Sequence, residues 1–275
     1  MPCAGGIVTR PSGGVAARAD GTVVRWYEAL LLMLTFHAFG PALGQPDLSP
    51  FCVKLETYLR LAGLEYTAAP FDPRQSPKGK APYIEHEGTT IGDSTQIIAY
   101  LRSAGIARDI DADLTPMQQA AGRILQSMLE EHLYFAVLYL RWQVVDVWNG
   151  YRHEVGKIMR RGGVPGPLLP LVLWLARRST LRALKGQGTG RHTEQEVVTT
   201  ALTLLEAVEV TLGDQPYLLG ERVSTIDATG YAIIAGCMAD AVHTPLTPAL
   251  KGRFTSLRAY CDRMEQTYFP ELASG

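Results

Sequence analysis

Between residues 33 and 105 the apolar residues change their repeat in a fixed order, and that order restricts the fold more than any other feature of the chain. Leu34, Phe36 and Ala38 alternate with Thr35, His37 and Phe39, the period of a strand running from Met33 to Phe39. Phe51, Leu55, Tyr58, Leu59 and Ala62 then recur at helical spacing. That helix has Ser49 at the N-cap position, Pro50 at its first residue and Gly63 as its stop. Leu64 to Ala68 alternates again, so strand, helix and strand form a parallel unit. After the turn-rich FDPRQSPKGK, Tyr83 to His86 and Thr89 to Ile91 pair as a hairpin across Glu87-Gly88. Ser94 is then expected to cap a helix through Leu101 that Gly105 ends.

Strand-helix-strand followed by strand-strand-helix, in roughly 75 residues, is the thioredoxin-like order. Beyond residue 112 the pattern is helical almost throughout. Thr115 and Gln118 form a capping box, and the helix that it opens carries Ile124, Leu125, Met128, Leu129, Leu133 and Ala136 on one side. Gly162 to Pro170 breaks the helical pattern. Thr193 and Glu196 make a second box before Val197, Ala201, Leu204, Leu205, Val208 and Leu212, and Ser224 with Asp227 gives a third helix start. The expected organisation is an extension at 1–32, an α/β thioredoxin-like N-terminal domain at 33–108, and an all-α helical-bundle domain at 113–275 with an insertion at 150–192.

Composition narrows the function. The formal net charge is -1, with 26 Lys and Arg against 27 Asp and Glu, so no basic surplus points to nucleic acid. Cys3, Cys52, Cys237 and Cys261 form no CxxC pair and no cluster with His at metal-ligand spacing, which suits reduced thiols in a cytoplasm and no metal. ALLLMLTFHAF, with Arg18 and Arg25 before it, can be read as a signal-peptide core or as the lead into the first strand. No apolar run reaches the roughly 18 residues that a membrane span needs.

SPFC at 49–52, APYI at 81–84, GDSTQIIAYL at 92–101 and STIDATGYA at 224–232 resemble four motifs of the soluble glutathione transferases. They match that family's catalytic helix start, its cis-proline stretch, its acid-serine pair and the Ser/Thr-x-x-Asp box of its helical domain. LSPFCVKLETYLRLAGL, LEEHLYFAVLYLRW and GQGTGRH narrow the resemblance to the branch of the failed-axon-connections proteins, the metaxins and their bacterial relatives. The likeness covers roughly residues 33 to 270. The long loop before Ser49 and the 150–192 insertion depart from ordinary transferases, and both border the expected active-site side.

The resemblance implies reduced glutathione as co-substrate, a small electrophile as its acceptor and a homodimer; a non-catalytic, metaxin-like interaction module is the alternative. It also implies that Pro82 is cis, with Ala81 offering its backbone to an extended ligand. Asp93 would take the ligand's ammonium group. Ser94, at a helix start, has the free N–H groups, hydroxyl and dipole that suit a carboxylate. Ser49 can be a plain N-cap, or can donate to the ligand's sulfur and stabilise a thiolate; the two roles are compatible. Cys52, one turn on, reads as a buried small apolar residue. Glu130, Glu131 and His132 read as a partly exposed polar stripe rather than a metal site, and Tyr134 and Tyr139 as candidates to line an apolar substrate pocket. Arg191-His192 precedes a capping box and reads as loop.

Overall fold

In a computed structural model the described residues are 34–274. The expectations for the 1–32 extension and for Met33 lie outside them. The N-terminal layer runs β1 (Thr35–Ala38), α1 (Pro50–Ala62), β2 (Thr67–Pro70), β3 (Tyr83–His86), β4 (Thr89–Gly92) and α2 (Ser94–Ser103). The strands make one sheet in the order β2-β1-β3-β4, with β1 parallel to β2 and antiparallel to β3. This is the expected thioredoxin-like arrangement. The hairpin turns at Glu87 and Gly88, both at positive φ, as a tight two-residue connection requires.

The second strand sits later than the alternation suggested. β2 occupies Thr67–Pro70, not Leu64–Ala68, because its register is set by pairing Thr35 with Thr67 and Ala38 with Pro70. As an edge strand it is largely exposed and tolerates a proline at its end. Leu64 and Tyr66 instead close the turn after α1, where Gly63 takes the left-handed conformation and its N–H bonds back to the helix.

The helical layer holds α3 (Pro116–Met128), a wide π-turn at Leu129–Leu133, α4 (Tyr134–Trp142), α5 (Val145–Arg161), α6 (Leu169–Gln187), α7 (Glu194–Leu212), α8 (Thr225–Met238), α9 (Thr247–Gly252) and α10 (Thr255–Tyr268). α8 is buried almost all round, so the other helices pack about it. Its start is fixed by Asp227, whose Oδ2 accepts from the Ser224 N–H and hydroxyl, both at 2.8 Å, while Oδ1 accepts from the Leu218 N–H at 2.9 Å. The boxes at Thr115 and Thr193 form as expected. Ile124 does not join the core; it lies on the outer face of α3 while Leu125, Leu129, Leu133 and Ala136 are buried.

α1 separates two cores. Leu55, Tyr58 and Leu59 pack with Phe36, Ile84, Ile97 and Leu101 beneath the sheet, while Val53 turns into the helical core. A third cluster joins Trp148, Tyr151 and Val155 of α5 to Leu43 and Leu48 of the loop before α1. α5 therefore buttresses the segment that delivers Ser49.

Candidate functional site

Asp47 shapes the approach to α1. Its carboxylate is 3% exposed and accepts from the Gly40 N–H at 2.6 Å and the Ser49 N–H at 2.7 Å, closing the loop between them. Gly40, at φ +83°, has the backbone freedom that this closure uses. Burial pushes the Asp47 carboxyl up to about 7, against the pull of its two N–H donors.

Ser49 sits at the expected N-cap position with extended backbone, and its C=O accepts from the N–H groups of Cys52 and Val53. The capping hydrogen bond expected of its side chain is absent: the hydroxyl accepts from no backbone N–H of the first turn. The cap is made by backbone alone, and the half-buried hydroxyl is not committed to it. The Cys52 thiol is fully buried and held well above its ordinary pKa by desolvation and by Asp47, with the Ser49 side chain acting the other way. It is a buried thiol, in keeping with its reading as a small apolar residue.

The Ala81–Pro82 peptide is cis. The Pro82 C=O accepts from the Asp93 N–H, which ties this strand start to the start of α2, and no described residue bonds the backbone N–H or C=O of Ala81. Asp93 has φ +83°, ψ 117°, a region that a non-glycine residue enters only when its surroundings enforce it.

The capping roles of Asp93 and Ser94 are exchanged relative to the sequence expectation. Asp93 is the N-cap of α2, its Oδ1 accepting from the Thr95 and Gln96 N–H groups while Oδ2 pairs with Lys78 at 3.3 Å. Its carboxylate already has internal partners, which reduces its freedom to take a ligand's ammonium. Ser94 is the first helical residue and is 3% exposed; neither its N–H nor its hydroxyl has a partner among the described residues. Those two donors, with the positive end of the α2 dipole, form a carboxylate-ready corner.

Beneath that corner lies a polar cluster that sequence reasoning missed. Lys54 of α1, 3% exposed, donates to Thr95 Oγ1 at 2.7 Å and to Glu130 Oε1 at 2.6 Å. Gln126 of α3 also donates to Thr95, and Thr229 of α8 donates to Glu130. Burial lowers the Lys54 pKa, and Glu130 opposes that shift. The signal was available: Lys54 shares a helical stripe with Tyr58 and Leu61, and a charge on a buried stripe demands a counter-charge. Glu130 is that counter-charge, so it leaves the expected exposed stripe. His132 and Glu131 stay exposed. Among the described residues no group of three His, Cys, Asp or Glu gathers at metal-binding distance.

Of the two pocket tyrosines, Tyr134 packs edge-on against Phe51, two residues after Ser49, with ring centres 4.8 Å apart, and burial pushes its phenol up to about 12. Tyr139 is not at the cleft. It is buried in the helical core, and its hydroxyl donates to the His192 C=O, because helical spacing from Tyr134 carries it to the far side of α4.

A thioredoxin-like layer with a cis-proline strand and an open helix start, set against an all-helical layer through α1, defines the class of the soluble glutathione transferases. Residues 50–148 match the glutathione S-transferase N-terminal domain and residues 201–264 its C-terminal domain. The chain is 34% identical to an isoprene-epoxide–glutathione S-transferase of a Rhodococcus strain, across 74% of this chain and 85% of that protein. This chain belongs to the glutathione S-transferase family. It also matches Failed axon connections of Drosophila melanogaster at 29% identity, covering 82% of this chain and 56% of that one. Metaxin-2 of Homo sapiens matches at 23%, over 73% and 74%. Among solved structures, a beta-etherase from a Sphingobium strain shares the fold with a TM-score of 0.55 at 19% identity, over 86% of this chain and 99% of that one.

Proposed function

We propose that this protein binds reduced glutathione and adds its thiolate to a small electrophile. The observation that carries the reading is the open corner at Ser94, whose N–H and hydroxyl are unpartnered among the described residues at the N-terminus of α2, beside the cis Ala81–Pro82 bond. There the γ-glutamyl carboxylate is anchored by Ser94, the peptide portion pairs with the Ala81 backbone, and Asp93, through its exposed edge, faces the ammonium group. Ser49 then lies at the sulfur end. Its hydroxyl donates to the glutathione sulfur and favours the ionised form, while the electrophile occupies the side walled by Phe51 and Tyr134. The thiolate forms the new bond to carbon, and the electrophile's leaving group or opened ring oxygen takes up the electron pair and, from water, a proton.

The family membership and the 34% identity to a glutathione S-transferase support this assignment. A reducing, cytoplasmic setting belongs to the same proposal, in keeping with the buried free thiols Cys52, Cys237 and Cys261. So does a homodimer, for which Met117 and Ile124 of α3 offer exposed apolar surface. The matches to Failed axon connections and metaxin-2 favour a second reading, a non-catalytic module that uses the fold to hold a partner.

Calorimetric titration with glutathione separates the two. The wild type is expected to bind, and Ser94→Ala to bind about tenfold or more weakly with its melting temperature kept, since a hydrogen bond to a charged group contributes about 1.5–3 kcal/mol. No binding by the wild type at millimolar glutathione rejects the enzyme and leaves the interaction module.

A further inference from the structure

The inserted helices carry a surface that the glutathione site does not use. On α6, Leu171, Trp174, Leu175, Arg178, Arg182 and Lys185 are all exposed. Their spacings of 3, 4, 7, 11 and 14 from Leu171 put them on one face of the helix, roughly 21 Å long at 1.5 Å per residue. The first half of that face is apolar and the second half is cationic. Four of the eight large apolar side chains most open to solvent among the described residues fall here, at Leu168, Leu171, Trp174 and Leu175.

The charge is as lopsided as the apolarity. From Val155 to Thr193 the chain has eight Lys and Arg and no Asp or Glu, within a protein of net charge -1. Arg160, Arg182 and Lys185 have no acidic partner among the described residues, and Arg178 lies over the ring of Trp174, 5.2 Å from its centre. Between α5 and α6 a groove of about 530 Å³ repeats the combination, lined by apolar Trp148, Leu173 and Trp174 and by cationic Arg152, Arg160 and Arg177.

We propose that α6 and its groove with α5 dock this protein on an anionic lipid surface, with Leu171, Trp174 and Leu175 entering the headgroup boundary and Arg178, Arg182 and Lys185 lying on the phosphates. Buried apolar area and attraction to anionic lipid are the two contributions to binding at a membrane surface, this face offers both, and tryptophan is at home at that boundary. A second copy of the chain is a poor occupant, because two such faces set cation against cation when parallel and cation against apolar surface when antiparallel. Nucleic acid satisfies the arginines but leaves the leucine and tryptophan surface uncovered. No described helix is long and apolar enough to cross a membrane, so the contact is made from the surface.

The test is flotation of the full chain with vesicles of phosphatidylcholine alone or mixed with phosphatidylglycerol, at low and high salt. Two variants accompany it, one combining Leu171→Ser with Trp174→Ser, the other Arg178→Glu with Arg182→Glu; the exposure of all four positions predicts native melting temperatures. The wild type should float with the anionic vesicles, lose most of that binding at high salt, and bind neutral vesicles weakly. Each cation near an anionic surface is worth about fivefold in partitioning, so the charge variant should lose about 30-fold or more. The apolar variant should retain salt-sensitive but much weaker binding. No flotation of the wild type with anionic vesicles at low salt overturns the proposal, as does equal binding by a folded charge variant. So does capture by polyglutamate through the same arginines without vesicle binding, which makes the partner an acidic protein.

Discussion

Replacing Glu130 with glutamine takes the counter-charge from an ammonium that is 3% exposed and keeps everything else nearly in place. The amide oxygen that the substitution introduces can still accept from Lys54 and Thr229, so the hydrogen bonds survive and only the charge is lost. At 2.6 Å the attraction between the two ions is about 6 kcal/mol for an effective dielectric of about 20. Desolvating each ion costs several kcal/mol, so the intact pair is close to break-even. Glu130→Gln removes the attraction and leaves the Lys54 desolvation, predicting a loss of about 3–5 kcal/mol. Lys54→Met should cost less, about 1–3 kcal/mol. The stranded Glu130, with 13% of its side chain exposed, can reach water. The double variant Lys54→Met with Glu130→Leu should recover to within about 1 kcal/mol of wild type, since well-packed apolar residues can replace a buried pair without loss. Urea unfolding of these proteins at pH 7, with Glu130→Leu added as the second single variant, gives the cycle. Single variants that each cost under about 1 kcal/mol, or a double variant equal to their sum, would refute the reasoning, because the pair would then be solvated rather than buried.

Ser49→Ala should still bind glutathione, because the anchor is elsewhere, but should raise the pKa of the bound thiol and slow conjugation; thiolate absorbance against pH reads this directly, and an unchanged titration removes Ser49 from the chemistry. Asp47→Asn tests the raised carboxyl. Below about pH 4 the group is protonated both folded and unfolded; as pH rises towards about 7 the unfolded chain gives up its proton and the folded chain keeps it. Wild-type stability should therefore fall relative to Asp47→Asn across that window, by at most about 4 kcal/mol, and level off above it. Parallel melting curves from pH 4 to 8 would contradict the assignment. Asp227→Ala should cost more than an ordinary cap, about 3 kcal/mol or more, because it orphans the buried N–H groups of Leu218 and Ser224 together with the Ser224 hydroxyl. Thermal unfolding shows the loss, and a change below about 1 kcal/mol would mean that water replaces the carboxylate.

Elements governed by local rules were legible in the sequence. Ser49-Pro50 and Gly63 bounded α1, Glu87-Gly88 placed the hairpin, and the boxes at Thr115, Thr193 and Ser224 opened three helices, because each depends on residues a few positions apart. What failed depended on partners far along the chain. The register of β2 comes from β1, 32 residues earlier, and no local alternation reports it. The exchange of roles between Asp93 and Ser94 turns on the positive φ of Asp93, whose N–H bonds back to the Pro82 C=O, 11 residues earlier. Tyr139 was misplaced because periodicity finds a buried face without saying which cavity it meets. Lys54 sits on a stripe that local spacing marks as buried, but nothing local names Glu130, 76 positions on, as its partner until α1 and the π-turn are brought together.

The first turn of α2 is held partly from the other layer of the molecule. Thr95, next to Ser94, receives Gln126 from α3 and Lys54 from α1, and Lys54 is in turn oriented by Glu130 in the π-turn. The two halves are therefore poor candidates for exchange by recombination. A chimera that borrowed its helical half from a relative lacking Gln and Glu at 126 and 130 would leave Lys54 and Thr95 facing foreign side chains. Its ligand-anchoring corner would shift although every residue of that corner had been inherited intact. Divergence among such proteins should then favour paired changes across the seam, with positions 54, 95, 126 and 130 drifting together.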